Sequence, residues 1–221
     1  MDNEYWLNRW QVGQTSFHQA DVEKYLRANL GRLGLAPGAT VFVPLCGKSI
    51  DMLWLATQGY RVVGVELSAI ACEAFFSENR LEAATPVTEG RFRVHRAKDQ
   101  PITLYEGDFF DLRAAHTGPV AAFYDMSSLI ALPVELRKRY AQHMKDELLP
   151  PTATGLLISV AYDAPHYPGP PFSISPEELP RLWGDRFHLE PLGSGEKLVG
   201  PPTGRISTTE SAWLLTPRAQ R

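Results

Sequence analysis

The sequence has 221 residues, with 22 lysines and arginines against 25 aspartates and glutamates and a formal charge of −3. That length suits one α/β domain around a single core, while the lack of a basic block removes the electrostatic basis of a nucleic-acid groove. No apolar run approaches the roughly 20 residues that span a bilayer, and the two cysteines, Cys46 and Cys72, offer neither a zinc spacing nor a disulfide framework.

The chain opens with MDNEYWLNRW, acidic and aromatic where a signal peptide is basic and then apolar, so a cytoplasmic protein is expected. Helical spacing of Trp6, Leu7 and Trp10 predicts a first helix that Gly13 interrupts. Asp21 is positioned to cap a second helix carrying Val22, Tyr25, Leu26 and Leu30. After the Ala36-Pro37-Gly38 turn, Val41 to Val43 read as a strand ending in Pro-Leu-Cys-Gly-Lys. A helix over Ile50 to Thr57 follows, then Gly59 and a second strand from Val62 to Val65 that stops at Glu66. Ser68 caps a helix through Cys72, Phe75 and Phe76. The polar stretch from Glu82 to Gln100 predicts an excursion with one short strand near Phe92 to His95. Ile102 to Tyr105 and Val120 to Tyr124 are further strands, ending near Asp108 and at Asp125. Pro133 suits the first position of a helix reaching Leu148, with Arg137, Lys138 and Arg139 forming a solvated face. Leu156 to Ala161, a Pro-rich loop (His166 to Phe172), a short helix from Pro176 to Leu182, and strands at Phe187 to Pro191 and Ser211 to Leu215 complete the chain. The last two strands lack a crossover helix between them, so they predict an antiparallel edge on an open, mostly parallel sheet.

Ligands of such sheets collect beyond the carboxyl ends of the strands. Four predicted strand ends carry special residues: Leu45-Cys46-Gly47, Glu66, Asp108 and Asp125. Gly47 lets backbone approach a ligand. Glu66, about 20 residues past the glycine turn, stands where such folds accept hydrogen bonds from a ribose diol. Asp108 can receive an adenine amine, with Phe109 against the base. Gly47-Lys48-Ser49 lacks the earlier glycine of a P-loop, and no G-x-G-x-x-G occurs. A nucleoside cofactor without phosphates therefore fits best, and S-adenosylmethionine is the common one. No nucleophile–base pair and no metal site is expected: Cys46 has no histidine near it in sequence, and the six histidines show no metal spacing.

Several motifs together are specific. Trp6 and Trp10 form W-x-x-x-W, followed by G-x-T-x-F-H through Gly13, Thr15, Phe17 and His18. To these add V-P-L-C-G-K-S (Val43 to Ser49), G-Y-x-V-V-G-V-E-L-S (Gly59 to Ser68), Gly107-Asp108-Phe109-Phe110, Tyr124-Asp125, the A-L-P-x-x-x-R-x-R-Y run ending at Tyr140, and Gly169 to Phe172. On these motifs the chain resembles the bacterial branch of the thiopurine S-methyltransferase family over nearly its whole length. The resemblance implies a class I, Rossmann-like fold, with a seven-stranded sheet, an antiparallel edge strand and an N-terminal helical lid (1–35) in one domain over residues 1–221. It implies that the lid, through Trp6 and Trp10, closes over S-adenosylmethionine, which leaves as S-adenosylhomocysteine. Leu45 and Gly47 then line the methionine side, Glu66 holds the ribose, and Asp108 with Phe109 flanks the adenine. Asp125 and Met126 also border the cofactor, and Phe17 faces the acceptor. The implied acceptors are aromatic and heterocyclic thiols, with selenium and tellurium species also associated with bacterial members.

One position departs from the family pattern. Where D-R-x-x-L is usual, this chain has Asp125-Met126-Ser127-Ser128-Leu129. The missing arginine is expected to hold the acceptor as an anion; Met126 packs but donates no hydrogen bond. Arg205 lies near a second family arginine, shifted by a residue or two, and is a candidate partner of the acceptor. Three readings follow: a small-molecule thiol S-methyltransferase, a methyltransferase for another nucleophile, and a cofactor-binding protein without catalysis. The partner expected is a small thiol, with no nucleic acid, no membrane and a monomeric state.

Overall fold

The computed structural model describes residues 3–163, 167–200 and 204–219; His166 of the Pro-rich loop lies outside them. The N-terminal region holds α1 (Asn3–Gln11) and α2 (Lys24–Asn29). Then come β1 (Thr40–Val43), α3 (Ile50–Thr57), β2 (Arg61–Glu66), α4 (Ala69–Glu78), β3 (Val87–Glu89), β4 (Phe92–Arg96), β5 (Ile102–Glu106), α5 (Ala114–Thr117) and β6 (Ala122–Asp125). The chain ends with α6 (Ser128–Ala131), α7 (Val134–His143), β7 (Thr154–Ala161), α8 (Glu178–Trp183), β8 (Phe187–Val199) and β9 (Ile206–Pro217).

All the strands join one sheet in the order β3-β4-β5-β2-β1-β6-β7-β9-β8. The five central strands, β5 to β7 in that order, are parallel. The chain reverses its direction of travel between β1 and β6, which makes the switch point where Rossmann-like sheets bind ligands. Period-two burial sorts the central strands onto two cores. Val41, Val43, Ala122, Tyr124, Leu156 and Ile158 face one cluster, which receives Leu26 from α2, Leu55 from α3 and Phe75 from α4. Phe42, Val65, Tyr105, Phe123 and Leu157 face the other, against Tyr140 of α7 and Trp183 of α8.

The sheet has nine strands rather than seven, and both of its flanks are antiparallel. The excursion from Glu82 to Gln100 contains a hairpin, because Gly90 takes φ 61° and turns β3 back onto β4. Its first strand is short and largely exposed, so it leaves no apolar alternation to read. The terminal strands run to 13 and 12 residues, well beyond their apolar centres, with a register shift between Pro191 and Gly193 on the edge strand. Edge position makes that proline tolerable.

Caps refine the helix starts. Ser68 accepts from the Ala71 N–H at 3.3 Å, as expected. Glu23, and not Asp21, caps α2 by accepting from Tyr25 N–H at 3.2 Å. Pro133 sits just before α7, whose last turn widens into a π-helical turn over Met144–Leu148. Arg137 is buried instead of solvated: it donates to the Leu132 carbonyl at 2.9 Å, to Glu178 at 2.8 Å and to the Ser173 carbonyl at 3.1 Å, tying α7 to α8 and to the end of the Pro-rich loop. No helix among the described residues is long and apolar enough to cross a membrane.

Gly64, at the middle of β2, leaves no room for a side chain. A Cβ there would lie 2.7 Å from both Cys46 Sγ and Leu104 Cδ2. Gly64→Ala should lower unfolding free energy by about 1–3 kcal/mol through overpacking, read from the urea midpoint; an unchanged midpoint contradicts this packing.

Candidate active site

A cavity of about 1090 Å³ opens across the carboxyl ends of β1, β2 and β6. Its floor is the loop after β1. Leu45 there has φ 42°, a left-handed conformation rare for a branched side chain, and Gly47 has φ 53°. Gly47 lies under the Trp10 indole, where an added Cβ would meet Cζ2 at 3.4 Å, ordinary van der Waals contact. The positive φ is what favours glycine there.

Glu66 fixes this loop. Its Oε2 accepts from Gly47 N–H at 2.9 Å and its Oε1 from Ser68 N–H at 2.7 Å, with the residue only 7% exposed. Burial raises its pKa, and the backbone donors of Ser68, Gly47 and Leu67 pull the other way. Glu66 lines the cavity, and a carboxylate has about four acceptor sites, more than these backbone donors occupy, so a ribose hydroxyl suits it. Cys46 beside it is held as a thiol, its pKa driven well up by burial and by Glu66.

The segment from Asn3 to Glu23 lines the cavity and is tied at both ends. At its start Asn3 Nδ2 donates to Asp108 Oδ2 at 2.9 Å. At its end Glu23 N–H donates to Asp51 Oδ1 at 2.9 Å, and Tyr124 OH donates to the other Asp51 oxygen at 2.8 Å. Between these ties Phe17 meets Trp6 and Trp10 edge-on, with centroids 5.7 and 5.6 Å apart. Trp10 is buried and Phe17 is 39% exposed. His18 also lines the cavity; burial and the Lys48 ammonium lower its pKa, which keeps it neutral at pH 7.

The structure gathers Trp6, Trp10, Phe17, Leu45, Gly47, Glu66, Asp108, Phe109, Met126 and Arg205 around this one cavity. Asp108 spends its other oxygen on Phe110 N–H at 2.8 Å, and Phe109 is mostly committed to the core against Tyr140 and His143. Asp125 is not among the lining residues. It is fully buried, and its carboxylate accepts from Ser128 N–H at 3.0 Å, Leu129 N–H at 3.2 Å and Tyr140 OH at 2.7 Å. Its oxygens face inward, so it shapes the turn that carries Met126 rather than facing a ligand.

Sequence reasoning missed other members. Ser128 donates to the Pro44 carbonyl at 2.6 Å and holds the floor loop from the β6 side. Tyr167 from the Pro-rich loop and Lys197 from β8 line the cavity, where Lys197 is paired with buried Glu210. Arg205 is exposed and, among the described residues, has no hydrogen-bond or ion-pair partner. Only Tyr167 had a local signal, its place among prolines.

Solved structures share this architecture. An S-adenosylmethionine-dependent methyltransferase from Anabaena variabilis matches with a TM-score of 0.65 at 18% identity, over 98% of this chain and 95% of that one. A 1,6-didemethyltoxoflavin N1-methyltransferase from Burkholderia thailandensis, solved with S-adenosylhomocysteine, gives 0.62 at 15% identity, over 97% and 87%. These likenesses define a Rossmann-like fold. The family model described as thiopurine S-methyltransferase matches residues 1–216. A thiopurine S-methyltransferase of Pseudomonas putida is 48% identical over 220 residues, covering 98% of this chain and all of the relative. One from Pseudomonas syringae pv. pisi is 44% identical over 204 residues, 92% of each chain. The chain belongs to the thiopurine S-methyltransferase family.

The buried Asp125 carboxyl is pushed up to about 6 by burial, above its ordinary 3.8, with Tyr140 and the two N–H donors opposing. The folded state therefore holds this proton more tightly than the unfolded one. The stability it contributes is complete below pH 3.8 and is lost as pH rises through about 6. Asp125→Asn, compared with wild type by urea unfolding from pH 4 to 7, should gain relative stability of order 1–3 kcal/mol across that window. A pH-independent difference contradicts the assignment.

Proposed function

We propose that the protein transfers a methyl group to the sulfur of small aromatic or heterocyclic thiols. The observation that carries this reading is the mixed lining of one cavity: Glu66 and the loop after β1 border it together with Met126, Ile130, Leu136, Tyr140, Tyr167 and Val199. S-adenosylmethionine, when bound, supplies an electrophilic methyl group. Glu66 accepts the ribose hydroxyls, Leu45 and Gly47 line the methionine side, and Asp108 with Phe109 borders the adenine. Trp6 and Trp10 exclude water from above, and Phe17 walls the acceptor.

A heteroaromatic thiol ionises readily, and its thiolate is a soft nucleophile that needs little general-base help. Positioning and desolvation then supply most of the rate. That agrees with a cavity without an activated nucleophile. Arg205 is placed to offset the thiolate charge, and Met126 packs on the ring. Selenium and tellurium nucleophiles share this softness. The proposal treats residues 1–221 as one catalytic domain with the 1–35 segment as its lid, working as a cytoplasmic monomer.

The alternative, a different nucleophile, draws on Met126 standing where the family has arginine. Labelled methyl transfer over thiols, phenols, amines, selenite and tellurite, with products identified by mass, separates the two. Thioether products are expected from the thiols; methyl ethers or methylamines alone would replace the S-methyl reading. Within it, Met126→Arg should raise kcat/KM for 6-mercaptopurine up to about tenfold, the worth of one charge-assisted hydrogen bond. No change or a fall contradicts the assigned effect of Met126.

A further inference from the structure

A second group of chemistry-bearing side chains lies on the β4–β5 flank, outside the cavity. Cys72 on α4, His95 on β4 and Glu106 on β5 bring one ligand atom each within 4.8 Å of one another. The placement follows from topology. His95 pairs with Leu104 across the antiparallel ladder, and Glu106 lies two residues beyond Leu104, so both side chains leave the same face. α4 covers that face, with Phe76 against His95 at 6.1 Å between centroids and Cys72 one turn earlier. Cys72 and His95 are buried, and the Glu106 side chain is 18% exposed.

Charge around the group is unbalanced. Glu66, Glu106 and Glu73 all act on the Cys72 sulfur, and Arg93 alone opposes them. That guanidinium already lies 3.5 Å from Glu73 and 3.6 Å from Glu106. A thiol, an imidazole and a carboxylate amid surplus negative charge form the donor set of a borderline-soft dication. Bonds of about 2.0–2.3 Å in a tetrahedron set ligand atoms roughly 3.5 Å apart. His95 Nε2 and Glu106 Oε2 lie 2.7 Å apart, and all three ligand atoms lie within 4.8 Å of one another, the same range.

We propose that Cys72, His95 and Glu106 form a binding site for a zinc-type divalent cation, with water as the fourth ligand on the exposed side of Glu106. Binding releases the Cys72 thiol proton to solvent, leaves the neutral His95 imidazole with its proton on Nδ1 instead of between Nε2 and Glu106, and so replaces that hydrogen bond with two metal bonds. None of the three residues lines the cavity, so the ion takes no part in methyl transfer. Its role is to brace the flank: Glu106 stands in register with Glu66 on the neighbouring strand. Sequence spacing could not suggest the site, since residues 72, 95 and 106 fit no metal motif.

Cobalt(II) occupies zinc sites and reports a bound thiolate by its charge-transfer absorption. Titrated into chelator-treated full-length protein, it should give such a band saturating at one equivalent. The band should vanish in Cys72→Ser, persist in Cys46→Ser, and need at least about tenfold more cobalt in His95→Gln. Zinc should also raise the thermal midpoint of wild type but not of Cys72→Ser. No band, or a band that survives Cys72→Ser, overturns the site. If Cys72→Ser lacks native circular dichroism, Glu106→Gln decides: weaker cobalt binding supports the site, and unchanged binding overturns it.

Discussion

The Glu66 carboxylate holds two backbone segments at once, and most of the candidate site hangs from it. One oxygen fixes Gly47 in the loop after β1 and the other fixes Ser68 at the start of α4. A buried carboxylate is expensive to desolvate, and charge-assisted bonds to fixed amides offset part of that. The loop in turn holds Leu45 in a left-handed backbone conformation that a free peptide rarely adopts at a leucine. Such strain persists only where neighbours over-determine it. Here they are Glu66 on one side and the Ser128 hydroxyl on the Pro44 carbonyl on the other.

The N-terminal segment depends on this floor. Trp10 packs on Gly47, so the aromatic cluster of Trp6, Trp10 and Phe17 takes its height from the loop beneath. Its two ties, Asn3 to Asp108 and Glu23 to Asp51, fasten the segment to the ends of β5 and α3. Asp51 is itself gripped by Tyr124 from β6. The strands that form the switch point therefore also anchor the cover over it. Asp125 belongs to the same scaffold: by holding Ser128, Leu129 and Tyr140 it sets the turn that presents Met126.

Legibility followed sequence distance. The β1–α3–β2 unit, Gly47, Glu66 and the Ser68 cap were readable because each is a local pattern: an apolar run, a glycine turn, an acid at a strand tip. Pairs joined only by the fold were not. Glu23 and Asp51 are 28 residues apart, and Ser128 and Pro44 are 84 apart. Asp125 looked like a ligand because it ends a strand, yet its oxygens turn inward to donors that no spacing rule names. The β3 strand escaped because Val87-Thr88-Glu89 is polar and exposed, and the full length of β8 and β9 escaped because their distal halves carry glycines and polar residues.

The account stands on Glu66 serving both the loop and the ribose. Calorimetric titration of S-adenosylhomocysteine into wild type and Glu66→Gln tests this directly. The substitution keeps the side chain's size and one acceptor but removes its charge. Affinity should fall at least about tenfold, as for loss of a hydrogen bond to a charged group. Equal affinity for the two proteins would contradict the role assigned to Glu66.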